Sequence, residues 1–514
     1  MTQPLDQSVD ADRRKPLILW IVPLVASVFV PALWFTGADW PFAFRPDLVA
    51  TMTTFVAFYA TVILAALSHG FRHRIRWAMG VTTVVVVVSF QWSGFVETAE
   101  NFSAATGVSF LADVIPVAIA GSLIWISVRL AHDWQFAIIV GTATIAALVG
   151  VALASLSLVA PSPSPREIAT AMPGSPDVLL LVLDGYGRAD WLEDNFDFDN
   201  GEFLAELESR GFAIATEATA NYSYTFGSVS SMLNLDYVFS LGEVTEDERK
   251  NMRAALSGAV GLIPAFKEAG YEVAYVENAW SGSQCGSAVD WCIRTGLARR
   301  GLWNLGRMSI LAPLMTTLVP DPLISLALEQ VQSLGEVVTE PHPNDSPRFT
   351  FAHVVLPHQP MLFSASCVRH SYSVARSWGV GNEELQAERQ SNYVDQVKCI
   401  NRQVVEVLDS FLGEHPDGIV MITADHGPAS NLLTNLTADE LSPATIDERM
   451  KILSAYRLPG CEEAFRRDLT PVNGVRILLN CATGAGLGEL PDSNRWMVWG
   501  GTGVVTDLSW LFND

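Results

Sequence analysis

The stretch "GIVMITADHGPAS", residues 418–430, joins a run of apolar residues to an acid and an imidazole. A short apolar run that ends in a turn is typical of a buried strand. Asp425 and His426 therefore stand where this strand ends. They either cap and bend a turn or bind a metal ion, and the rest of the sequence has to decide between the two interpretations.

Other short apolar runs have the same form and alternate with helical patterns. The predicted strands are residues 177–184, 271–277, 349–357 and 418–425. Amphipathic helices are predicted at residues 201–211 and 392–413, and each ends at a glycine. Strands that alternate with helices predict an α/β fold with a mainly parallel sheet flanked by helices.

Polar side chains follow three of these predicted strands. Asp184 ends the first strand, His358 follows the strand at 349–357, and Asp425 and His426 end the last. In a parallel sheet the carboxyl ends of the strands meet at one edge, where ligands bind. Each residue alone is also common in turns and caps, but two carboxylates and imidazoles together are the ligand types of a divalent metal site.

The segment "NYSYTFGSVSSMLNLDY", residues 221–237, supplies hydroxyl groups at the start of a predicted helix. Thr225 is the candidate nucleophile, because a hydroxyl at a helix N-terminus meets unpaired N–H groups and a favourable dipole. A divalent cation in contact with it would also lower its pKa. An ordinary N-cap role is the alternative, and Ser223, Ser228 and Ser230 are nearby hydroxyls.

The first 160 residues have a different character, because long apolar segments dominate them. Five are long enough to span a bilayer, which takes roughly 20 residues. They are residues 17–37, 48–68, 77–95, 110–130 and 135–159. Arginine and lysine residues lie before the first span, between the second and third, and at the connection of the fourth and fifth. Because such positive charges favour the cytoplasmic side, we expect the N-terminus in the cytoplasm and the chain after the fifth span outside it.

Four regions follow from this division. They are a cytoplasmic tail at residues 1–16, a transmembrane region at 17–160, a linker at 161–176 and an extracytoplasmic domain at 177–514. The linker is rich in proline and serine, a composition typical of semi-extended segments. The formal net charge of −23 argues against a nucleic-acid partner.

All six cysteines lie in the predicted extracytoplasmic domain, and an even number there suits disulfides in an oxidising compartment. Proximity along the chain favours the pairs Cys285–Cys292, Cys367–Cys399 and Cys461–Cys481. Buried free thiols are the alternative.

The order of these motifs resembles the alkaline phosphatase superfamily. A strand ending in aspartate ("VLLLVLDGYGR"), a hydroxyl at a helix start, "PHQP" and a strand ending in "ADHG" follow one another. The chain looks like the sulfatase-like branch that includes lipoteichoic acid synthases and phosphoethanolamine transferases. The resemblance implies that Asp184, Asp425 and His426 are metal ligands, and that Thr225 is both nucleophile and fourth ligand.

The resemblance also implies residues that contact the substrate. His358 matches the position that contacts the substrate phosphate or the leaving group. His353, inside the strand "FAHVV", is a weaker candidate for substrate binding, because it could equally belong to the core. Gly185 stands where many sulfatases have a second aspartate, so a single divalent ion is expected. Mn²⁺ ranks first by resemblance, with Zn²⁺, Mg²⁺ and Ca²⁺ as alternatives.

The function that the resemblance implies is transfer of a phospholipid headgroup phosphate to a glycan, lipid or water. The enzyme would sit in the inner (plasma) membrane with its catalytic domain in the periplasm or outside the cell. Two alternatives are hydrolysis of a sulfate or phosphate ester that is not a lipid, and a non-catalytic role as a sensor or assembly factor. The C/S-x-P-x-R motif of sulfatases, whose first residue becomes formylglycine, does not occur in the sequence.

Overall fold

The computed structural model describes residues 175–278, 283, 285–293, 323–340, 346–359, 361–369, 383–429, 437–497 and 503–512. The five predicted membrane segments lie outside these residues. Within the described part of the chain, no helix is both long enough and apolar enough to cross a membrane.

The elements of the described residues alternate between strands and helices. The strands are β1 (Val178–Leu183), β2 (Ala213–Ile214), β3 (Gly242–Glu243), β4 (Glu272–Val276), β5 (Trp291–Ile293), β6 (Arg348–Val354), β7 (Ile419–Ala424), β8 (Ser454–Arg457), β9 (Arg495–Met497) and β10 (Val504–Asp507). The α-helices are α1 (Ala189–Phe196), α2 (Gly201–Ser209), α3 (Thr225–Asn234), α4 (Glu246–Leu256), α5 (Leu262–Glu268), α6 (Leu323–Thr339), α7 (Glu383–Glu414), α8 (Pro443–Met450) and α9 (Pro471–Thr483).

The main sheet has seven strands in the order β2-β8-β7-β1-β6-β4-β5. Strands β7, β1, β6, β4 and β5 run parallel. At one edge β8 pairs antiparallel with β7, and β2 pairs antiparallel with β8. The centre is β1, in which all six residues are buried. A continuous apolar run is what a parallel strand covered on both faces requires. The predicted α/β fold with a mainly parallel sheet is therefore confirmed.

The pairing of β1 brings the polar strand ends together. Leu183, the last residue of β1, pairs with Ala424 of β7 on one side and Val354 of β6 on the other. The next residues along β1 and β7 are Asp184 and Asp425. Because the two strands are parallel and in register, both carboxylates leave the sheet at the same level of its carboxyl edge.

A second, three-stranded sheet holds the segment that leads into α3. Its antiparallel strands are ordered β3-β10-β9. The backbone N–H of Ser223 donates to the carbonyl of Arg495 at 3.0 Å, and the N–H of Met497 donates to Ser223 Oγ at 2.9 Å. These bonds attach the residues before Thr225 to β9. The sequence analysis predicted none of these three strands, which have only two, three and four residues.

The structure alters the bounds of the predicted helices. The helix predicted at 392–413 begins earlier, at Glu383, and ends at Glu414. Gly413 does not end it, because the N–H of His415 still donates to the carbonyl of Phe411 at 2.8 Å. The helix predicted at 201–211 ends at Ser209, and Gly211 follows in the left-handed region at φ +83°.

Two of the three expected disulfides are present. Cys285 is bonded to Cys292, and Cys367 is bonded to Cys399. The third pairing was wrong for this structure, because Cys461 and Cys481 are free thiols. Burial raises the pKa of Cys481, and contact with Cys461 raises it further. Proximity in sequence therefore predicted the neighbouring positions of these two residues, but the structure holds them as thiols.

We expect the double variant Cys367→Ser/Cys399→Ser to lower the free energy of unfolding by about 3–4 kcal/mol, because the lost bond spans 32 residues and restrains the unfolded chain. Urea denaturation of the full chain in detergent measures the change. The matched control, Cys461→Ser/Cys481→Ser, should change the free energy by less than about 1 kcal/mol. An equal loss in the control would mean that a third disulfide forms.

Candidate metal and phosphoryl-transfer site

The site contains two fully buried carboxylates. Asp184 and Asp425 each have 0% of their surface exposed. Asp425 Oδ1 accepts hydrogen bonds from the N–H groups of Gly185, at 3.0 Å, and His426, at 2.8 Å. Gly185 has φ +73°, a conformation that favours glycine and turns its N–H toward Asp425. The carboxylate of Asp425 is thus held by the backbone on one oxygen only.

The imidazole of His426 presents a lone pair to these carboxylates. Its Nδ1 lies 2.9 Å from the carbonyl oxygen of Gly427. A carbonyl oxygen only accepts, so Nδ1 carries the proton and donates it. Burial and the charge of Arg449 hold the pKa of His426 well below its ordinary value, so the ring is neutral and Nε2 is unprotonated.

The electron-pair donors of Asp184, Asp425 and His426 therefore lie close together, and the imidazole among them is neutral. His426 Nε2 lies 3.3 Å from Asp425 Oδ2 and 3.6 Å from Asp184 Oδ1. Both oxygens of Asp184, and Oδ2 of Asp425, accept no short hydrogen bond from the described residues, and the contact of Asp184 Oδ2 with His353 Nε2 is long, at 3.4 Å. Buried oxygens in that state are costly, and a bound cation would relieve the cost. These three residues can hold a divalent metal ion, since one donor atom from each lies within 4.8 Å of the others.

Thr225 stands at the open side of this group. Its Oγ1 lies 2.9 Å from His426 Nε2. Thr225 is the first residue of α3, and the N-cap is Tyr224, whose side chain makes no capping hydrogen bond. The N-cap interpretation of Thr225 was therefore wrong. The hydroxyl instead faces the carboxylates and imidazole from the positive end of the helix dipole.

The neighbouring serine hydroxyls are turned toward the backbone. Ser228 Oγ donates to the carbonyl of Tyr222 at 3.0 Å, and Ser230 Oγ donates to the carbonyl of Phe226. Ser223 Oγ accepts from the N–H of Met497. Thr225 is thus the hydroxyl that the fold places against His426.

The two carboxylates differ in their tendency to ionise. Burial and the negative charge of Asp184 raise the pKa of Asp425 above its ordinary range. Burial also opposes ionisation of Asp184, but the charge of His358 and the contact with His353 outweigh it and lower its pKa. Without a cation, two adjacent buried carboxylates favour one charged and one protonated group. A bound metal would displace the proton from Asp425.

His353 and His358 occupy different positions relative to the site. His353 lies in β6 opposite Val182. Its side chain is fully buried, and Nε2 lies 3.4 Å from Asp184 Oδ2. His358 lies just beyond β6, and its ring centroid is 6.1 Å from that of His426. The position of His353 fits a residue that orients Asp184, whereas His358 lines an open cavity.

That cavity lies beside the metal-ligand group. Its lining includes His358, Phe196, Met361, Arg389 and Tyr393. The lining combines apolar side chains with an imidazole and two guanidinium groups, since Arg449 also borders the cavity. Such a combination suits an anionic group attached to an apolar alcohol.

Sequence reasoning missed two side chains that hold the site together. Tyr393 Oη donates to the carbonyl of Gly185 at 2.8 Å and accepts from the N–H of Gly187 at 3.1 Å, which fixes the turn after Asp184. Arg449 is buried and donates to the carbonyl of Gly427. Tyr393 lies on a predicted amphipathic helix and Arg449 on a helix that was not predicted, so no local signal marked either residue.

The chain belongs to the sulfatase family, whose model matches residues 176–443. This match confirms the resemblance to the sulfatase-like branch of the alkaline phosphatase superfamily, and the chain is an enzyme of that type. No curated protein was found to match the sequence.

Several solved structures are similar to the chain. The C-terminal periplasmic domain of EcEptC from Escherichia coli is 13% identical, with a TM-score of 0.41, over 67% of this chain and 97% of that one. The integral membrane lipooligosaccharide phosphoethanolamine transferase A of Neisseria meningitidis is 13% identical, with a TM-score of 0.40, over 90% and 95%. The phosphonate monoester hydrolase of Agrobacterium radiobacter is 12% identical, with a TM-score of 0.40, over 62% and 80%. Because these identities and TM-scores are low, the assignment of the chain to the sulfatase family rests on the match to the sulfatase model alone.

We expect the affinity for Zn²⁺ or Mn²⁺ to rise as the pH is raised from about 5 to 8, because Asp425 must lose its proton to bind the metal. Isothermal titration calorimetry in two buffers of different ionisation enthalpy measures both the affinity and the protons released.

Asp425→Asn should abolish this binding, and Asp190→Asn, at an exposed acid on α1, should leave it unchanged. If metal binding releases no protons at any pH between about 5 and 8, Asp425 is not protonated in the metal-free protein.

Proposed function

We propose that this member of the sulfatase family is a membrane-anchored, extracytoplasmic phosphotransferase or phosphodiesterase. It moves a phospholipid headgroup phosphate through Thr225 to a glycan, lipid or water acceptor. The observation that carries the proposal is the 2.9 Å contact between Thr225 Oγ1 and His426 Nε2 at the start of α3. This contact puts a hydroxyl nucleophile directly beside the atoms that can bind a metal.

The residue type of the nucleophile favours phosphoryl transfer over sulfate ester hydrolysis. Formylglycine is an aldehyde made by oxidising cysteine or serine. Thr225 carries a methyl group on its hydroxyl-bearing carbon, so the same oxidation would yield a ketone. A threonine alkoxide can instead attack phosphorus directly and form a phosphoester.

The proposed ligands are Asp184, Asp425, His426 and the Thr225 hydroxyl. When bound there, a divalent cation would lower the pKa of that hydroxyl and offset the negative charge of the phosphoryl oxygens. The group Asp–Asp–His–Thr suits Mn²⁺ or Zn²⁺, and its oxygen atoms are also ligands that Mg²⁺ and Ca²⁺ accept. His353 holds Asp184 in place through the contact between Nε2 and Oδ2.

The proposed reaction uses these side chains in turn. Thr225 loses its proton to water, and its oxygen attacks the phosphorus of the diester. The bond between phosphorus and the leaving alcohol breaks, and His358, in the adjoining cavity, supplies a proton to the departing oxygen. The acceptor hydroxyl then attacks the phosphothreonine and passes its proton to the imidazole of His358, which the first step left neutral. The bond between phosphorus and the threonine oxygen breaks, and that oxygen takes back a proton from water.

The proposed lipid substrate depends on the predicted membrane region. Five spans and a short linker would keep the site close to the bilayer, which raises the effective concentration of a lipid donor. The disulfides Cys285–Cys292 and Cys367–Cys399 support an oxidising compartment outside the cytoplasm. The non-catalytic alternative does not fit a member of the sulfatase family in which all four proposed ligand positions are filled.

We expect incubation of the full chain with Mn²⁺ and mixed phospholipids to leave a headgroup phosphate on Thr225, detected by peptide mass spectrometry. Thr225→Ala should remove the adduct and lower kcat for a phosphodiester by at least about a thousandfold. Ser230→Ala, which changes a hydroxyl turned toward the backbone of the same helix, should keep both. Unchanged turnover in Thr225→Ala would exclude Thr225 as the nucleophile.

We also expect a reporter enzyme that works only outside the cytoplasm to be active when fused after residue 165, and inactive when fused after residue 74. The charge pattern and five spans place these positions on opposite sides of the membrane. A fluorescent protein that folds only in the cytoplasm provides the reciprocal control. The reverse pattern would overturn the proposed topology.

A further inference from the structure

A buried arginine connects the two loops that carry the reacting groups. Arg449 lies near the end of α8, and 4% of its surface is exposed. Its Nε donates to the carbonyl of Ser223 at 3.1 Å, and Nη2 donates to the same oxygen. Its Nη1 donates to the carbonyls of Gly427, at 2.9 Å, and Pro428, at 3.3 Å.

The carbonyls that Arg449 binds stand next to the site residues. Ser223 precedes Thr225 by two residues, and Gly427 directly follows His426. The carbonyl of Gly427 also accepts the Nδ1 proton of His426 at 2.9 Å. One side of the guanidinium therefore holds the nucleophile loop, and the other holds the oxygen that orients the imidazole.

The loop of His426 has little room to move when Arg449 is in place. A Cβ at Gly427 would lie 1.9 Å from the carbonyl oxygen of Glu448, the residue before Arg449. The N–H of Gly427 also donates to the carbonyl of Arg449 at 2.8 Å. Backbone and side chain of Arg449 thus hold this loop together, and only a glycine permits the approach.

We propose that Arg449 is a positioning residue, which sets the distance between Thr225 Oγ1 and His426 Nε2 by holding both loops on one planar guanidinium. The inference rests on the proposed function, because it assigns Arg449 a part in aligning that nucleophile. The proposal requires the planar guanidinium group, whose three nitrogens donate in different directions. A lysine keeps the positive charge but donates from a single nitrogen, which cannot span both sets of carbonyls.

Arg457 offers a matched control in the same part of the chain. It also donates to backbone carbonyls, those of Arg210, Gly418 and Pro416. It ends β8, and Gly418 lies at the opposite end of β7 from Asp425. Substitution of Arg457 therefore removes a comparable set of hydrogen bonds without touching either loop of the site.

The test compares the full chain in detergent with its Arg449→Lys, Arg449→Ala, Arg457→Lys and Arg457→Ala variants. Competition with a chromophoric chelator measures the affinity for Zn²⁺. A chromogenic phosphodiester gives kcat and KM, and thermal unfolding without metal reports the fold. Low-millimolar guanidinium is then added to both alanine variants.

We expect Arg449→Lys to lower Zn²⁺ affinity and kcat by about 10- to 100-fold, with KM within about threefold of wild type. Guanidinium should restore at least about tenfold of kcat to Arg449→Ala and nothing to Arg457→Ala, because the missing fork can be supplied from solution only at the site. Both lysine variants should still unfold cooperatively, and the unfolding temperature should fall more in Arg449→Lys, because Arg449 is the more buried of the two arginines.

The inference is overturned if Arg449→Lys matches Arg457→Lys within about threefold in both affinity and kcat. It is also overturned if the alanine variant folds but guanidinium restores nothing. Failure of the proposed function has a different signature, in which wild type binds Zn²⁺ but turns over no phosphodiester. The difference in Zn²⁺ affinity between the lysine variants still tests Arg449 in that case.

Discussion

The site depends on the parallel pairing of β1 with its two neighbours. Leu183 pairs at one level with Ala424 and Val354, so the next residues of β1 and β7 are two aspartates at the same height. A shift of one residue would point either carboxylate to the other face of the sheet. Slippage would also leave backbone groups unpaired at the ends of the buried strand β1, which favours this register.

Electrostatics then accounts for what gathers around these carboxylates. Two buried acids and the lone pair of a neutral imidazole repel one another, and burial strengthens that repulsion. The protein offsets it partly with the charge of Arg449, which faces Asp425, Glu448 and Asp184. A divalent cation would supply the positive charge that is still needed to offset this repulsion. The proposed metal binding and the proposed positioning of the nucleophile would therefore both depend on the same cluster of side chains.

Local patterns predicted the strands that carry Asp184 and Asp425, but not the short elements that support the site, such as β9 and α8. The strand ends at Asp184 and Asp425 were correct because an apolar run followed by an acid and glycine is a short-range signal. Helix α7 extends beyond Gly413 because the hydrogen bond from the N–H of His415 to the carbonyl of Phe411 stabilises the last turn more than the glycine destabilises it. Strands β2 and β8 have two and four residues and were missed, since their pairing comes from distant segments. The thiols of Cys461 and Cys481 show that sequence proximity predicts neighbours, but not bonds.

The sequence by itself determined the α/β class and the family and suggested the ligand types of the proposed metal site, because apolar periodicity and strand-end motifs are local properties of the chain. Only the tertiary structure decided that Thr225, rather than a nearby serine, faces His426, and that His353 contacts Asp184. It alone brought Arg449 onto the carbonyls of Ser223 and Gly427, which lie 226 and 22 residues away along the chain. Contacts over such separations leave no periodic trace in a single sequence, since they depend on how the strands and helices pack.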